Sequence, residues 1–503
     1  MISTPVTATS TDDLDVIVIG AGLSGINAAY RLQQQCPGKC YAILEGRAAM
    51  GGTWDLFRYP GIRSDSDIFT FGFGFKPWKG DSRLAGGDDI RAYINEAARD
   101  FGIDKHIRYQ HKVTAADWDS ATMRWRLTVE VIEGGAVRVT QMTAGFVFLC
   151  SGYYRYDQGY TPTFAGVDDF TGTVVHPQFW PESLDCTDKR VVVIGSGATA
   201  VTLIPTLAPE VEHITMLQRT PTWISPVPSR DKTAARLRGK LPDDLVHRIA
   251  RIKNVLLRVA LYSYCMKWPE KARELLLGGV RTILDDKSLV EEHFTPHYNP
   301  WDQRVCAAPG GDFFKAINSG KASVVTDHIE RFVPEGILLK SGRVVPADVI
   351  VTATGLVMVP LGGLDISVDG QPVVLNEHFV WRGTMLDGVP NLASATGYIN
   401  ASWTLRSDLT AQLVCKVLNH LDQKGISAIA PAAPAGLQKR PLLDLSSGYV
   451  QRAISQFPNQ GDRDPWRMRQ NAITDRFHTM RANLNRELRP YIARAAALTE
   501  QTA

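Results

Sequence analysis

Apolar residues along this 503-residue chain gather in short runs that end on glycine. Val16 to Ile19, VIVI, is one such run, and its lack of polar interruptions predicts a strand buried on both faces of a parallel sheet. GAGLSG follows, Ile26 to Leu32 then reads as a helix, and a second strand, YAIL, ends at Glu45. The same order recurs at RVVVIGSGATA, Arg190 to Ala200, whose second strand, ITML, runs into Gln218 and Arg219. ADVIVTATG, Ala347 to Gly355, is a further strand entering a glycine turn; Leu405, Leu409, Leu413, Val417 and Leu421 mark a later helix, opened by GYINASW. Between Pro228 and Glu292 the pattern is helical, with Ile249, Ile252, Leu256, Val259 and Tyr262 on one face and Arg248, Arg251 and Arg258 elsewhere. The expectation is an inserted helix packed on the domain beneath, with a basic helix on a membrane surface as the alternative.

The glycine turns carry the first chemistry. In GAGLSG, Gly20 makes a tight turn, Gly22 lets the backbone approach a pyrophosphate, and Gly25 lets helix and strand pack closely. The helix N-terminus then offers free N–H groups to the phosphates. Glu45, twenty residues beyond Gly25, ends the second strand where a carboxylate accepts bonds from a ribose hydroxyl, which favours an adenosine with a free 2′-OH. The second turn reads Gly195, Gly197 and Ala200, and Arg219 with Thr220 stands where an acid would be. A guanidinium holds a 2′-phosphate as a forked ion pair, so NADPH is favoured over NADH there; a solvated strand-end arginine is the plainer alternative. One site for FAD and one for NADPH is the economical assignment, with hydride passing from nicotinamide to flavin.

These units predict an α/β fold of two Rossmann-like dinucleotide-binding domains with a helical insertion. The expected partition is a flexible N-terminus over 1–13, an FAD-binding domain over 14–150 and 348–430, and an NADP-binding domain over 151–222 and 301–347. The insertion takes 223–300 and a C-terminal extension 431–503. Fifty-five basic against fifty-two acidic residues, without long blocks of one sign, make nucleic acid a poor partner. Seven scattered cysteines suit reduced thiols in the cytoplasm, and none has the spacing of a redox-active pair. No signal peptide, transmembrane segment or metal-ligand cluster is expected.

The stretch FTGTVVHPQFWPE, 170–182, follows neither a helix nor a strand period. Its Phe170-x-Gly172-x-x-x-His176-x-x-x-Trp180-Pro181 resembles, position for position, the fingerprint of the Baeyer–Villiger monooxygenases. The resemblance spans roughly residues 12–480. It is closest to the ethionamide-activating subgroup, through GGTWDLFRYPGIRSDSD, CSGYYRYDQGY, HYNPWDQR, GYINASWTLR and PNQGDRDPWR. It implies FAD contacts at Ser24, Glu45, Thr53, Trp54, Asp55, Leu56, Asp65 and Val113, and places Arg63 and Ser64, with Asp65, beside NADP. It places Gly195, Ser196, Gly197, Ala198, Thr199, Ala200 and Val201, with Arg219 and Thr220, at the NADP phosphates and ribose. Gln303 departs from relatives that carry a lysine there to assist 2′-phosphate recognition. The 170–182 stretch is then a connector that couples movement of the NADP domain to the flavin.

What the resemblance implies chemically is insertion of one oxygen atom of O2 beside a ketone carbonyl through a C4a-peroxyflavin, with thioethers or thioamides as further substrates. Arg304 is implied as the fixed cation that stabilises the oxygen-transferring anion, and Asp65 as the group that orients it; a salt bridge from Arg304 to Asp302 is the structural alternative. Trp403 and Trp301 are candidates for a substrate wall, and the helix from about Ser402 for a dipole aimed at the flavin. A heteroatom oxygenase and a non-enzymatic redox sensor on the same scaffold are the competing readings.

Overall fold

The computed structural model describes residues 13–80 and 82–492. All of the expected N-terminal tail except Asp13, and the end of the C-terminal extension, lie outside them.

The apolar run predicted as a buried strand is the centre of the first sheet. Asp13–Ile19 pairs in parallel with Tyr41–Leu44, Val16 opposite Tyr41, and with Ala136–Leu149, Val16 opposite Phe146. Val16 and Val18 join one buried cluster while Ile17 and Ile19 join another on the opposite face. Both sides of the strand are therefore covered, and no polar residue is tolerated between 16 and 19. Ala136–Leu149 is long enough to serve twice. Its first part pairs antiparallel with Arg124–Glu133, and its last residues pair in parallel with Asp13–Ile19 and with Leu392–Ser394. The helix Leu23–Gln35 stops at Cys36, before Pro37, and lies against the long helix Trp403–Lys424. Arg31 clamps the two through Asp408 at 2.7 Å. Gly425, at φ 64°, ends the later helix and donates its N–H to the Leu421 and Asp422 carbonyls.

The second sheet is parallel throughout, in the order Ala322–Thr326, His213–Gln218, Arg190–Ile194, Val349–Thr352 and Thr173–Val175. One boundary needs correcting. The return to the first domain, expected at 348, falls after Thr352, because Val349–Thr352 is a strand of the second sheet. Apolar patterning alone does not say which of two sheets a strand joins.

The insertion holds a 25-residue helix, Asp243–Lys267, but it turns the other way from the expectation. Its buried residues are Val246, His247, Ala250, Asn254 and Cys265, while Ile252 and Leu256 are 59% and 52% exposed. The surface beneath explains the inversion, because it offers polar groups that need partners. Arg251 donates to the carbonyls of Phe69, Thr70 and Gly72 at 2.7, 3.2 and 2.7 Å, satisfying the end of the short helix Ile68–Phe71. Asn254 bridges the carboxylates of Asp67 and Asp231, both at 3.0 Å. Docking by hydrogen bonds has displaced docking by apolar contact.

His247 makes this joint sensitive to acid. Burial first, and the Arg251 charge second, push its pKa down to about 4. Its Nδ1 accepts from the Trp78 amide at 3.4 Å, and its buried Nε2 has no partner among the described residues. The unfolded chain takes up a proton near pH 6.5 and the folded chain only near 4, so stability falls as pH drops through that window and the loss saturates below it. The expected loss is on the order of 3 kcal/mol. Thermal melts between pH 7 and 4 check this, because His247→Gln makes the slope in that window shallower, leaving the share of His176 and His293, whose pKa values burial also lowers; an unchanged slope assigns it to other groups.

Candidate active site

A cavity of about 630 Å³ opens beside the first glycine turn. Its wall includes Gly20, Gly22, Ser24, Glu45, Thr53, Trp54, Arg63, Ser64, Asp65, Val113 and Arg304, so residues spread over nearly 300 positions meet at one void. Gly25, Asp55 and Leu56 lie outside that wall. Gly25 is needed for packing, since a Cβ there would stand 1.9 Å from the Gly20 carbonyl oxygen. Asp55 pairs with Arg47 at 2.7 Å and Arg58 at 2.8 Å, holding Arg47 at the rim.

Several features fit this cavity to FAD. The helix Leu23–Gln35 begins at Gly22 with no side-chain cap, so its first amides stay available to a pyrophosphate. A Cβ at Gly52 would stand 3.2 Å from the Gly22 Cα, so two glycines face each other across a narrow cleft. Glu45 is held by the Ala21 amide at 2.8 Å and the Arg47 amide at 3.0 Å; burial raises its pKa and those two amides oppose the rise. At the other end Trp403, first residue of the long helix, lines the void and donates its indole N–H to Ser24 Oγ at 2.9 Å. Trp301 is not part of this wall. It sits at φ 76° with its ring 5.7 Å from Tyr262, in the loop that leads to Arg304.

Arg304 projects into the void and is exposed only in that sense, with protein on its other sides. Its Nη2 lies 3.5 Å from the Tyr153 hydroxyl, and Tyr449 also hydrogen-bonds to it. Burial would lower its pKa, but the oxygens of Tyr449, Tyr153 and Tyr154 outweigh that and raise it further. The side chain is therefore a permanent cation. The alternative pairing with Asp302 is not adopted, because that carboxylate accepts from the Asn299 amide at 2.9 Å. Asp65 shares the cavity. Burial raises its pKa, opposed by the charges of Arg304, Arg63 and Arg258.

The tyrosines are the residues that sequence reasoning passed over. CSGYYRYDQGY places Tyr153, Tyr154 and Tyr156 on the cavity wall, and three phenols within four positions at a domain crossing were the available signal. Tyr449 lies in a part of the sequence with no motif.

The second turn forms a separate surface. Gly195, at φ 123°, brings its backbone so close to Ala353 that a Cβ would stand 2.4 Å from that carbonyl oxygen. Gly197 faces open space and starts the helix Ala198–Leu207, again without a side-chain cap. Thr199, Ala200 and Val201 form its first turns, and Ser196 bonds to Thr222 Oγ1 at 2.6 Å. Arg219 is exposed at the end of the second strand, beside half-buried Thr220, with no hydrogen-bond or ion-pair partner among the described residues. Free amides and a free guanidinium fit NADPH. Arg63 joins the two halves by pairing with Asp312 at 2.6 Å.

The 170–181 stretch ties both chain crossings together. Thr173–Val175 is the edge strand of the second sheet, with Phe170 buried beneath it. A Cβ at Gly172 would stand 2.3 Å from the Asp348 carbonyl oxygen. His176 Nδ1 accepts from the Gln178 amide at 3.1 Å, which leaves Nε2–H to donate to the Gly355 carbonyl at 3.2 Å. Burial lowers the pKa of His176 and keeps it neutral. Gln178 donates to the carbonyls of Arg155 and Tyr156 at 2.9 and 3.0 Å. Trp180 packs half-buried on the second domain's core and Pro181 is exposed.

Comparison with known proteins places the chain in a family. A flavin-binding monooxygenase-like family model matches residues 84–256, and an NAD(P)-binding Rossmann-like domain matches 18–79. The FAD-containing monooxygenase EthA of Mycobacterium tuberculosis is 50% identical over 467 residues, 92% of this chain and 95% of its own. The probable FAD-binding monooxygenase AlmA of an Acinetobacter species is 44% identical over 94% of this chain and 95% of its own. Among solved structures, an oxidised steroid monooxygenase bound to NADP superposes with a TM-score of 0.69 at 25% identity, covering 84% of this chain and 88% of that one. Half of the positions are identical over 92% of the chain, and the chain belongs to the FAD-containing flavoprotein monooxygenases of the Baeyer–Villiger type, with FAD and NADPH as its cofactors.

Proposed function

We propose that the enzyme inserts an oxygen atom beside the carbonyl of ketones, giving esters or lactones, and also oxidises thioethers, with Arg304 as the residue that governs oxygen transfer. The observation that carries this reading is a permanent guanidinium facing the same void as the glycine turn and Trp403. Bound FAD, reduced by NADPH, supplies the activation of O2. The chain supplies the electrostatics and the enclosure. A fixed cation in a water-poor site stabilises developing negative charge far more than it would in bulk water, and it needs no reorganisation when the charge appears. Tyr153, Tyr154 and Trp403 wall off that side from water, and Asp65 offsets the concentration of positive charge. The direct test follows NADPH consumption against ester formed from a medium-chain methyl ketone. Near-stoichiometric ester supports the reading; NADPH oxidation that yields only hydrogen peroxide with every ketone tried removes it.

Cofactor choice is tested separately. Arg219→Ala is expected to raise the Michaelis constant for NADPH roughly 10–100-fold, the worth of a charge-assisted hydrogen-bonded pair, and that for NADH by less than about twofold. Steady-state kinetics with the two coenzymes decides it, and equal effects on both would mean that Arg219 does not read the 2′-phosphate.

A further inference from the structure

The apolar residues that the insertion helix keeps out of the core form an ordered line. Leu245, Ile249, Ile252, Leu256, Val259 and Met266 recur at spacings of four, three, four, three and seven, which places them on one side of Asp243–Lys267, opposite His247 and Asn254. Leu245, Ile252, Leu256 and Met266 are 40%, 59%, 52% and 57% exposed, and none of the six belongs to a hydrophobic cluster of the described residues. Leu257 and Trp268 widen the line, and the Lys267 ammonium sits 4.5 Å from the Trp268 ring centroid. A patch of this kind on a soluble fold marks a contact surface.

Charge says what the contact is with. Residues 232–281 hold twelve Lys and Arg against four Asp and Glu; Arg251 and Arg258 turn inward and Lys253 pairs with Asp231, which leaves nine cations against four acids, a net charge of +5 in a chain whose total is +3. Lys232, Arg236, Lys240, Arg248, Lys267 and Lys271 are exposed and form no salt bridge among the described residues. A second copy of the chain on this face would set the same basic rim against itself, Arg248 and Lys267 included, and like charges beside an apolar seam oppose pairing. An anionic surface meets no such penalty.

We propose that this face binds the surface of membranes rich in anionic phospholipid, its apolar line entering the boundary between headgroups and acyl chains while the basic side chains meet the phosphates. No helix of the described residues is long and apolar enough to cross a membrane, so the contact is peripheral. The inner face of the same helix reaches the cavity: Arg258 lies close enough to Asp65 for their charges to interact, and Tyr262 packs on Trp301, three residues before Arg304. Docking through the outer face brings the lipid beside the active site, which suits delivery of apolar substrates.

The test sediments the full-length, FAD-loaded enzyme with vesicles of about 30% phosphatidylglycerol in phosphatidylcholine. The enzyme is expected to travel with these vesicles, to be released by about 0.5 M salt, and to bind pure phosphatidylcholine poorly. Ile252→Ser with Leu256→Ser is expected to lower the partition coefficient roughly tenfold or more while retaining bound FAD and the rate of NADPH oxidation. Lys267→Glu with Lys271→Glu, which leaves every apolar residue in place, is expected to do the same. Binding that does not distinguish anionic from neutral vesicles, or full binding by either double variant, overturns the proposal. So does light scattering that shows a wild-type dimer in vesicle-free buffer converted to monomers by Ile252→Ser with Leu256→Ser, because the line is then an interface between copies.

Discussion

Replacing Arg304 with Ala is expected to reduce ester formation by about 10²–10³-fold or more, the usual loss when one preorganised charge-stabilising group is removed. Reduction of the flavin by NADPH should stay within about threefold of wild type, because hydride transfer makes no demand on a cation at that wall. The two half-reactions therefore separate: anaerobic stopped-flow reads the first, product analysis the second, and hydrogen peroxide should rise as ester falls. Arg304→Lys adds resolution. Lysine keeps the charge but not the planar fork that Tyr153 and Tyr449 brace, so partial recovery is expected. Ester at the wild-type rate in Arg304→Ala would take the residue out of the mechanism.

The second large effect concerns FAD retention. Gly20 sits at φ 102°, outside the range open to other residues, and a Cβ there would lie 2.8 Å from the Cys150 carbonyl oxygen. The atoms it would meet, in Cys150 and Ser151, are all backbone, so the strand and the crossing at Cys150 must separate. Gly20→Ala should cost about 2–4 kcal/mol from backbone strain and overpacking together. The displacement falls on the turn that presents amides to the pyrophosphate, so FAD content after purification should drop at least about tenfold. Gly38→Ala is the control, since nothing lies within 4 Å of a Cβ there. Absorbance of bound flavin per protein reads both variants. Wild-type flavin content in Gly20→Ala would mean that the turn does not hold the cofactor.

The parts of the fold that the sequence reveals are those where one physical requirement dominates. VIVI and VVVI are uniformly apolar because their strands are covered on both faces, and Gly20 and Gly195 are glycines because positive φ and close backbone approach permit nothing else. At the insertion helix two requirements compete. Ile252 and Leu256 point outward, and Arg251 and Asn254 point inward to carbonyls and carboxylates that only tertiary structure brings beneath them. Val349–Thr352 is ambiguous from sequence for a related reason, since an apolar strand carries no label for its sheet. In the active site, Arg304 was legible only through resemblance. Its surroundings of Tyr153, Tyr154 and Tyr449 join segments nearly 300 residues apart, and no periodicity reports such a meeting.

The central claim, oxygen insertion into a ketone, is tested most directly by mass spectrometry of products formed under 18O2. The reaction uses FAD-loaded protein, NADPH and a medium-chain methyl ketone that also carries a thioether. The account predicts an ester bearing one 18O atom, with sulfoxide as a second product. Labelled sulfoxide with no ester would contradict it, and would make Arg304 and the 170–181 connector features shared with heteroatom oxidation.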